Sequence, residues 1–339
     1  MRRLTTVTHA MASPSVSTFI DLASRAGMIG VRRVPTLTAA IARWGPTMAA
    51  AYAGSALATP RRAALIDDDG TVTYAELDRR STALANGLAR RGIRRGDRLG
   101  IACFNHREAV EAIVASAKLA TTPVLLNTSF AGPQLDEVVD REEVDGLVID
   151  ATLAPLLDAD AFDGPVVVAD DQKMHGRSDT IASVRRAGRL ALPLLPSAPQ
   201  QPVLLTSGTT GTPKGARRSA RPDMSAATAV IAEIPFRHDD IFCITSPVFH
   251  AWGFAQLGLA ATFGATVVLS RRFDAEATLH SIEHHRVSVL VVVPTILQRL
   301  LADPGFDDTD LSSLRIVASS GSALPPAVAT EWLERAGPN

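Results

Sequence analysis

The sequence predicts an α/β protein with two mainly parallel sheets flanked by helices. Three features carry that expectation. Short apolar runs alternate with amphipathic stretches from Ala63 to Ile149. The same alternation returns from Pro202 to Ala318. Between the two runs, residues 170–200 are polar and then rich in proline. Alternation at strand-plus-helix spacing is the mark of a parallel sheet with crossover helices. The expected organisation is a helical N-terminal extension over 1–58, a first α/β lobe over 59–200 and a second over 201–339.

Residues 15–58 are rich in alanine and carry a helical pattern. Arg25, Arg32, Arg33 and Arg43 punctuate apolar residues such as Phe19, Ile20, Leu22, Met28 and Ile29. Pro35 and Pro46 are expected to break this segment into short pieces. It reads as an extension packed on the main domain, or as a weak membrane-surface or dimer contact. Ala63–Asp67 and Thr71–Thr73 read as a hairpin around Asp69-Gly70. Tyr74–Gly92 is expected to be a helix with Leu77, Leu84 and Leu88 on one face. Strands are expected at Arg98–Phe104, Thr122–Asn127 and Gly146–Ile149, with helices at Arg107–Leu119 and Gly132–Glu142. Asp170, Asp171 and Gly176, followed by Pro193, Pro196 and Pro199, read as a surface connection and a linker. The second run gives strands at Val203–Thr206, Ile241–Thr245, Ala265–Leu269, Ser288–Val293 and Leu314–Ala318. Its helices are expected at Gly253–Phe263, Ala275–His285 and Thr295–Ala302.

Composition narrows the function classes. Of 339 residues, 46% are hydrophobic and 20% charged, and the net charge is −1. No basic surplus points to nucleic acid and no acidic block to a solvating tail. The two cysteines, Cys103 and Cys243, each sit in an apolar run, and no CxxC or Cys/His cluster suggests a disulfide framework or zinc. A reducing, cytoplasmic setting fits, with a peripheral membrane contact as a further expectation. The start Met1-Arg2-Arg3 is followed by a stretch broken by threonines, Ser13 and Pro14, which offers no secretory apolar core. Pro247–Leu269 carries no formal charge and is long enough to span a bilayer. Its glycines and Gln256 divide it more naturally into a loop, a helix and a strand.

The chemistry concentrates in Thr206-Ser207-Gly208-Thr209-Thr210-Gly211-Thr212-Pro213-Lys214-Gly215. Glycines let successive backbone N–H groups turn inward, hydroxyls donate around an anion, and the lysine supplies a mobile charge for phosphate oxygens. Together these residue types point to a polyphosphate. The Walker pattern requires Gly-Lys-Ser/Thr, whereas Lys214 here stands between Pro213 and Gly215. Only Lys118, Lys173 and Lys214 are lysines among 34 Lys and Arg, so a lysine in this loop stands out.

Thr206 to Gly215 resembles the phosphate-loop signature of the adenylate-forming superfamily, which includes acyl- and aryl-CoA synthetases. Two more segments resemble that family in the right order. Pro247-Val248-Phe249-His250-Ala251-Trp252-Gly253 is similar to its Pro-x-x-His-x-x-Gly segment. Ser319-Ser320-Gly321-Ser322-Ala323-Leu324-Pro325 is similar to its adenine-packing loop, with Gly321-Ser322-Ala323-Leu324 where Gly-Gly-Ala-Pro is usual. Thr73–Leu77 and Leu126-Asn127-Thr128 look like landmarks of the same family, and the resemblance runs from about Trp44 to Glu334.

The resemblance implies an AMP-forming acid–CoA ligase. A carboxylate attacks the α-phosphate of ATP, releasing pyrophosphate, and the thiol of CoA then displaces AMP. Thr206, Ser207, Gly208, Thr209, Thr210, Gly211 and Lys214 would hold the phosphates, and Thr210 would be a Mg²⁺ ligand. Gly321, Ser322 and Ala323 would pack on adenine. His250 would serve the reacting carboxylate, with Phe249, Trp252 and Gly253 along the acyl pocket. The apolar Phe249, Trp252, Phe254 and Leu257 suggest a fatty acid. The family's magnesium-binding Tyr-Gly-x-Thr-Glu segment, ribose-binding aspartate and C-terminal lid with its catalytic lysine are not found up to Asn339. The expectation is an incomplete large domain, insufficient alone for catalysis. Other expectations are a regulator that binds ATP or acyl groups, half of a split enzyme completed by a C-terminal chain, and a non-functional remnant.

Overall fold

The computed structural model describes residues 33–158, 160–169, 179–189, 200–206, 214–216 and 234–338. Helix α1 (Arg33–Trp44) and helix α2 (Met48–Ala58) open the described chain. The break between them falls at Gly45–Thr47, beside Pro46, and the Thr47 hydroxyl accepts the Ala50 N–H to cap α2. Pro35 lies within helix α1. It sits in the first turn of α1, where no helical partner awaits its missing N–H. Helix α2 is buried along most of its length, and Ser55 Oγ donates to the Ala261 carbonyl at 2.7 Å.

Strands β1 (Ala63–Asp67) and β2 (Gly70–Thr73) form the hairpin, and Thr73 caps helix α3 (Tyr74–Arg90). Next come β3 (Arg98–Ala102), α4 (Arg107–Leu119), β4 (Thr122–Leu125), α5 (Gly132–Arg141) and β5 (Gly146–Ile149). Each expected element is present, with strand ends trimmed by a residue or two. The stretch that reads as surface connection holds more structure than composition suggests. After β6 (Val166–Val168), Asp179–Thr180 forms β7 and Ile181–Gly188 forms helix α6. Thr180 and Ser183 cap that helix reciprocally, and Ile181, Val184 and Gly188 bury one face. Residues 170–178 and 190–199 lie outside the described residues.

Helix α6 lies so close to α3 that glycine is required on both sides. A Cβ on Gly188 would stand 1.9 Å from the Ala83 carbonyl oxygen, and one on Gly87 would stand 2.1 Å from that of Val184.

The remaining elements are β8 (Val203–Thr206), β9 (Lys214–Ala216), β10 (Ile241–Ile244), α7 (Ala251–Phe263), β11 (Thr266–Val268), α8 (Ala275–His284), β12 (Val289–Val292), α9 (Pro294–Leu301), β13 (Ile316–Ser319) and α10 (Pro326–Ala336). The uncharged stretch 247–269 is thus a loop, helix α7 and strand β11. No described helix is long and apolar enough to cross a membrane.

Two sheets result, of seven strands (β7-β6-β5-β3-β4-β8-β9) and six strands (β13-β12-β10-β11-β1-β2). All pairings are parallel except the two hairpins β1–β2 and β8–β9. The sheets do not divide the chain at 200/201. β1 pairs with β11 in the six-stranded sheet, and β8 pairs with β4 in the seven-stranded one. Apolar patterning makes a strand but does not name its neighbour, so these exchanges were not visible in the sequence. The largest core cluster joins both sheets, with Leu65, Leu99, Val148, Phe242 and Val289 fully buried.

Candidate active site

In open parallel sheets, ligands bind beyond the carboxyl ends of the strands. Three loops leave the carboxyl ends of β10, β12 and β13, which are neighbours in the six-stranded sheet. The loop after β10 carries the histidine segment. Thr245 anchors its start by donating through N–H and Oγ1 to the Val291 carbonyl, at 3.1 and 2.8 Å. His250 then stands at the N-terminal boundary of α7, with no side-chain cap bond.

Gly253, one turn into α7, lets the helix lie against its own approach loop. A Cβ there would come within 2.5 Å of the Pro247 carbonyl oxygen and 2.8 Å of that of Ser246. Trp252 is half-buried, and its Nε1–H donates to the Val292 carbonyl at 3.1 Å. The same carbonyl accepts the Ser320 N–H at 3.3 Å. Gly321 follows with φ +93°, and a Cβ there would stand 3.3 Å from Val293 Cγ1. One backbone oxygen at the end of β12 therefore joins the histidine segment to the glycine loop. Ser322 and Ala323 are exposed beyond it.

His250 is exposed, while the protein on its inner side desolvates the imidazole and lowers its pKa. The Phe249 ring lies beside it, tilted by 53° at 4.4 Å between ring centres, yet is itself buried in the large core cluster. Two buried hydroxyl oxygens, Ser246 Oγ and Ser319 Oγ, lack a partner among the described residues. They follow β10 and end β13, so polar atoms without partners flank the two loops. This suits a polar ligand such as a nucleotide.

The phosphate-loop segment joins β8 to β9, an antiparallel hairpin at one edge of the seven-stranded sheet, with Thr206 paired to Lys214. The chain returns as a strand rather than entering a helix, unlike a Walker loop. Ser207, Gly208, Thr209, Thr210 and Gly211 lie outside the described residues, and with them the Mg²⁺ position expected at Thr210.

Sequence reasoning missed Asn105. It lies in the loop after β3, in the other sheet, and is 5% exposed. Its Nδ2 donates to the Ser246 carbonyl at 3.0 Å, and its Oδ1 accepts the Val248 N–H at 2.8 Å. The same loop is tied down on its far side. Asp150, after β5, accepts the Phe104 N–H at 2.9 Å and His106 Nε2 at 2.7 Å. His106 Nδ1 faces Glu108 at 2.9 Å. The donor atoms of Cys103, His106 and Asp150 lie within 4.8 Å of one another. Both ring nitrogens are already engaged by carboxylates, which marks an ion-paired strap rather than an open metal site.

Burial opposes a charge on His106, but the hydrogen bonds to Asp150 and Glu108 outweigh it and push the pKa up to about 9. The stability it contributes is complete below its ordinary value of 6.5 and is lost as pH rises through about 9. The urea midpoint of the chain is therefore expected to fall between pH 7 and about 9.5, with a smaller fall in His106→Gln. Equal declines in both proteins would contradict this origin.

A cavity of about 750 Å³ lies elsewhere, near the amino end of β5. Asp136, Glu137, Asp140, Glu143, Asp145 and Asp163 line it, and such a wall repels phosphates and carboxylates.

The chain is similar to known proteins over most of its length. The AMP-binding enzyme family model matches residues 53–339. The indoleacetate–CoA ligase of Aromatoleum aromaticum is 32% identical over 285 residues, covering 82% of this chain and 56% of that protein. The long-chain-fatty-acid–CoA ligase FadD13 of Mycobacterium tuberculosis is 27% identical over 279 residues, covering 80% of this chain and 55% of that protein. Among solved structures, the anthranilate CoA ligase AuaEII in complex with anthranoyl-AMP superposes with a TM-score of 0.80 at 23% identity. That match covers 86% of this chain and 58% of the other, and shows the shared fold. The fold is that of an adenylate-forming enzyme's N-terminal domain. The chain belongs to the AMP-binding enzyme family. It spans about half the length of the curated relatives it matches.

Proposed function

We propose that this chain carries the acid- and ATP-binding part of an AMP-forming acid–CoA ligase. The observation that supports this most is the joining of the histidine segment and the glycine loop at the Val292 carbonyl. That arrangement sets His250 and the Gly321 loop on one rim, where an acid and an adenine could meet. Lys214 and the Thr206–Gly211 loop would hold the phosphates of ATP, with Mg²⁺ at Thr210 supplying further charge neutralisation. The carboxylate oxygen would attack the α-phosphorus, and the bond to the pyrophosphate oxygen would break. The thiolate of CoA would then take the acyl carbon, with AMP as leaving group.

A fatty acid is the proposed substrate, resting on the half-buried Trp252 and Phe254 of α7. Phe249 and Leu257 are packed into the core. Relatives are named for aromatic and for aliphatic acids alike.

Acid-dependent ATP–pyrophosphate exchange with Mg²⁺ tests the assignment. With the C-terminal part of a relative supplied, exchange is expected with fatty acids, and Lys214→Ala is expected to lower it by roughly 10²–10³-fold. Exchange with aryl acids only would remove the fatty-acid assignment. Adding the C-terminal part of a relative tests the second proposal, that this chain binds its ligands and needs a complementing polypeptide for turnover.

A further inference from the structure

The loop after β3 bridges the two sheets. It leaves the seven-stranded sheet, yet its Asn105 side chain holds the backbone of the loop that leaves the six-stranded sheet at β10. The two bonds use both ends of one amide, and both are buried. They bracket Pro247, whose carbonyl faces Gly253 and accepts the His250 N–H at 3.0 Å. On its other side the strap is fixed by Asp150 through Phe104 and His106. A chain of direct bonds therefore runs from β5, through residues 104–106, to the turn that presents His250.

We propose that Asn105 is a positioning residue for the acid half of the site. It sets the Ser246–Val248 turn, and through it the place of His250 and the first turn of α7. This inference rests on the ligase assignment above. Pro247 has no N–H of its own, so its turn relies on its neighbours for backbone bonding. An amide is the group that meets one carbonyl and one N–H together, as Ser246 and Val248 require. Both bonds of Asn105 go to the histidine segment and neither goes to the glycine loop, so the role is on the acid side.

The experiment uses the whole chain and Asn105→Ala. Amide hydrogen exchange, read by mass spectrometry on peptides spanning 244–250, is expected to speed up by about tenfold, with peptides from α8 unchanged. Affinity for an acyl sulfamoyl adenosine, a stable mimic of the acyl-adenylate, is expected to fall by about tenfold while affinity for AMP holds. Unchanged exchange at 244–250 overturns the clamp. Equal loss for AMP and the mimic overturns the acid-side role and leaves Asn105 merely structural. Should the unaltered chain bind neither ligand, the ligase assignment fails and takes the positioning role with it, while exchange still reports on the clamp.

Asn105→Asp decides the matter if the alanine variant does not fold. A neutral carboxyl reproduces both bonds, whereas a carboxylate repels the Ser246 carbonyl. Exchange at 244–250, relative to the unaltered chain at each pH, is expected to rise as that carboxyl ionises. A ratio flat in pH overturns the proposal.

Discussion

Asp150→Ala is expected to destabilise the chain by about 3–5 kcal/mol in urea unfolding at pH 7, the usual result of removing one partner from a buried ion pair. Asp150 and His106 are each 1% exposed, so solvent does not replace the lost carboxylate. The variant leaves an imidazolium with Glu108 alone and strands the Phe104 N–H. Asp150→Asn keeps an acceptor for that N–H and removes only the charge, so its loss should be smaller. A loss below about 1 kcal/mol for the alanine variant would mean that the His106 pair is dispensable.

Gly188→Val is expected to cost about 3 kcal/mol or more, at the upper end for overpacking. The atom that a Cβ would meet is the Ala83 carbonyl oxygen, part of the α3 backbone. Rotating a side chain cannot relieve such a clash, so α6 must move off α3. Arg91 and Asp179, paired at 2.6 Å at the edge of this contact, would then separate. Gly305→Ala is a fair comparison, since its nearest neighbour is the Asp303 carboxylate at 3.3 Å, which can swing aside. Similar midpoints for Gly188→Val and Gly305→Ala would show that α6 docks loosely.

What was legible in the sequence follows from the range of the forces involved. Helix α4 appears at its expected bounds because its apolar spacing and its turns are local. The phosphate loop could be read because glycine, threonine and lysine crowd into ten residues. Helix α6 was hidden by its setting. Its eight residues lie between polar and proline-rich stretches, and its apolar face is only Ile181, Val184 and Gly188. The exchange of β1 and β8 between sheets was hidden because partner choice is decided by packing far along the chain. Asn105 left no local trace either. Its two bonds reach 141 and 143 residues ahead, and a lone asparagine after a strand looks like any turn residue. His250 was singled out by the resemblance of one local segment to a family, while the residue that holds its turn shows only in three dimensions.

The carbonyl of Val292 has one more consequence. It accepts from Trp252 on one loop and from Ser320 on the other, so neither loop shifts without disturbing a bond that the other shares. In the proposed ligase these loops would serve acid and adenine, and any influence of one ligand on the other would be equal in both directions. The link can be cut from one side only, since Trp252→Phe removes the side-chain bond and leaves the backbone bond from Ser320 in place.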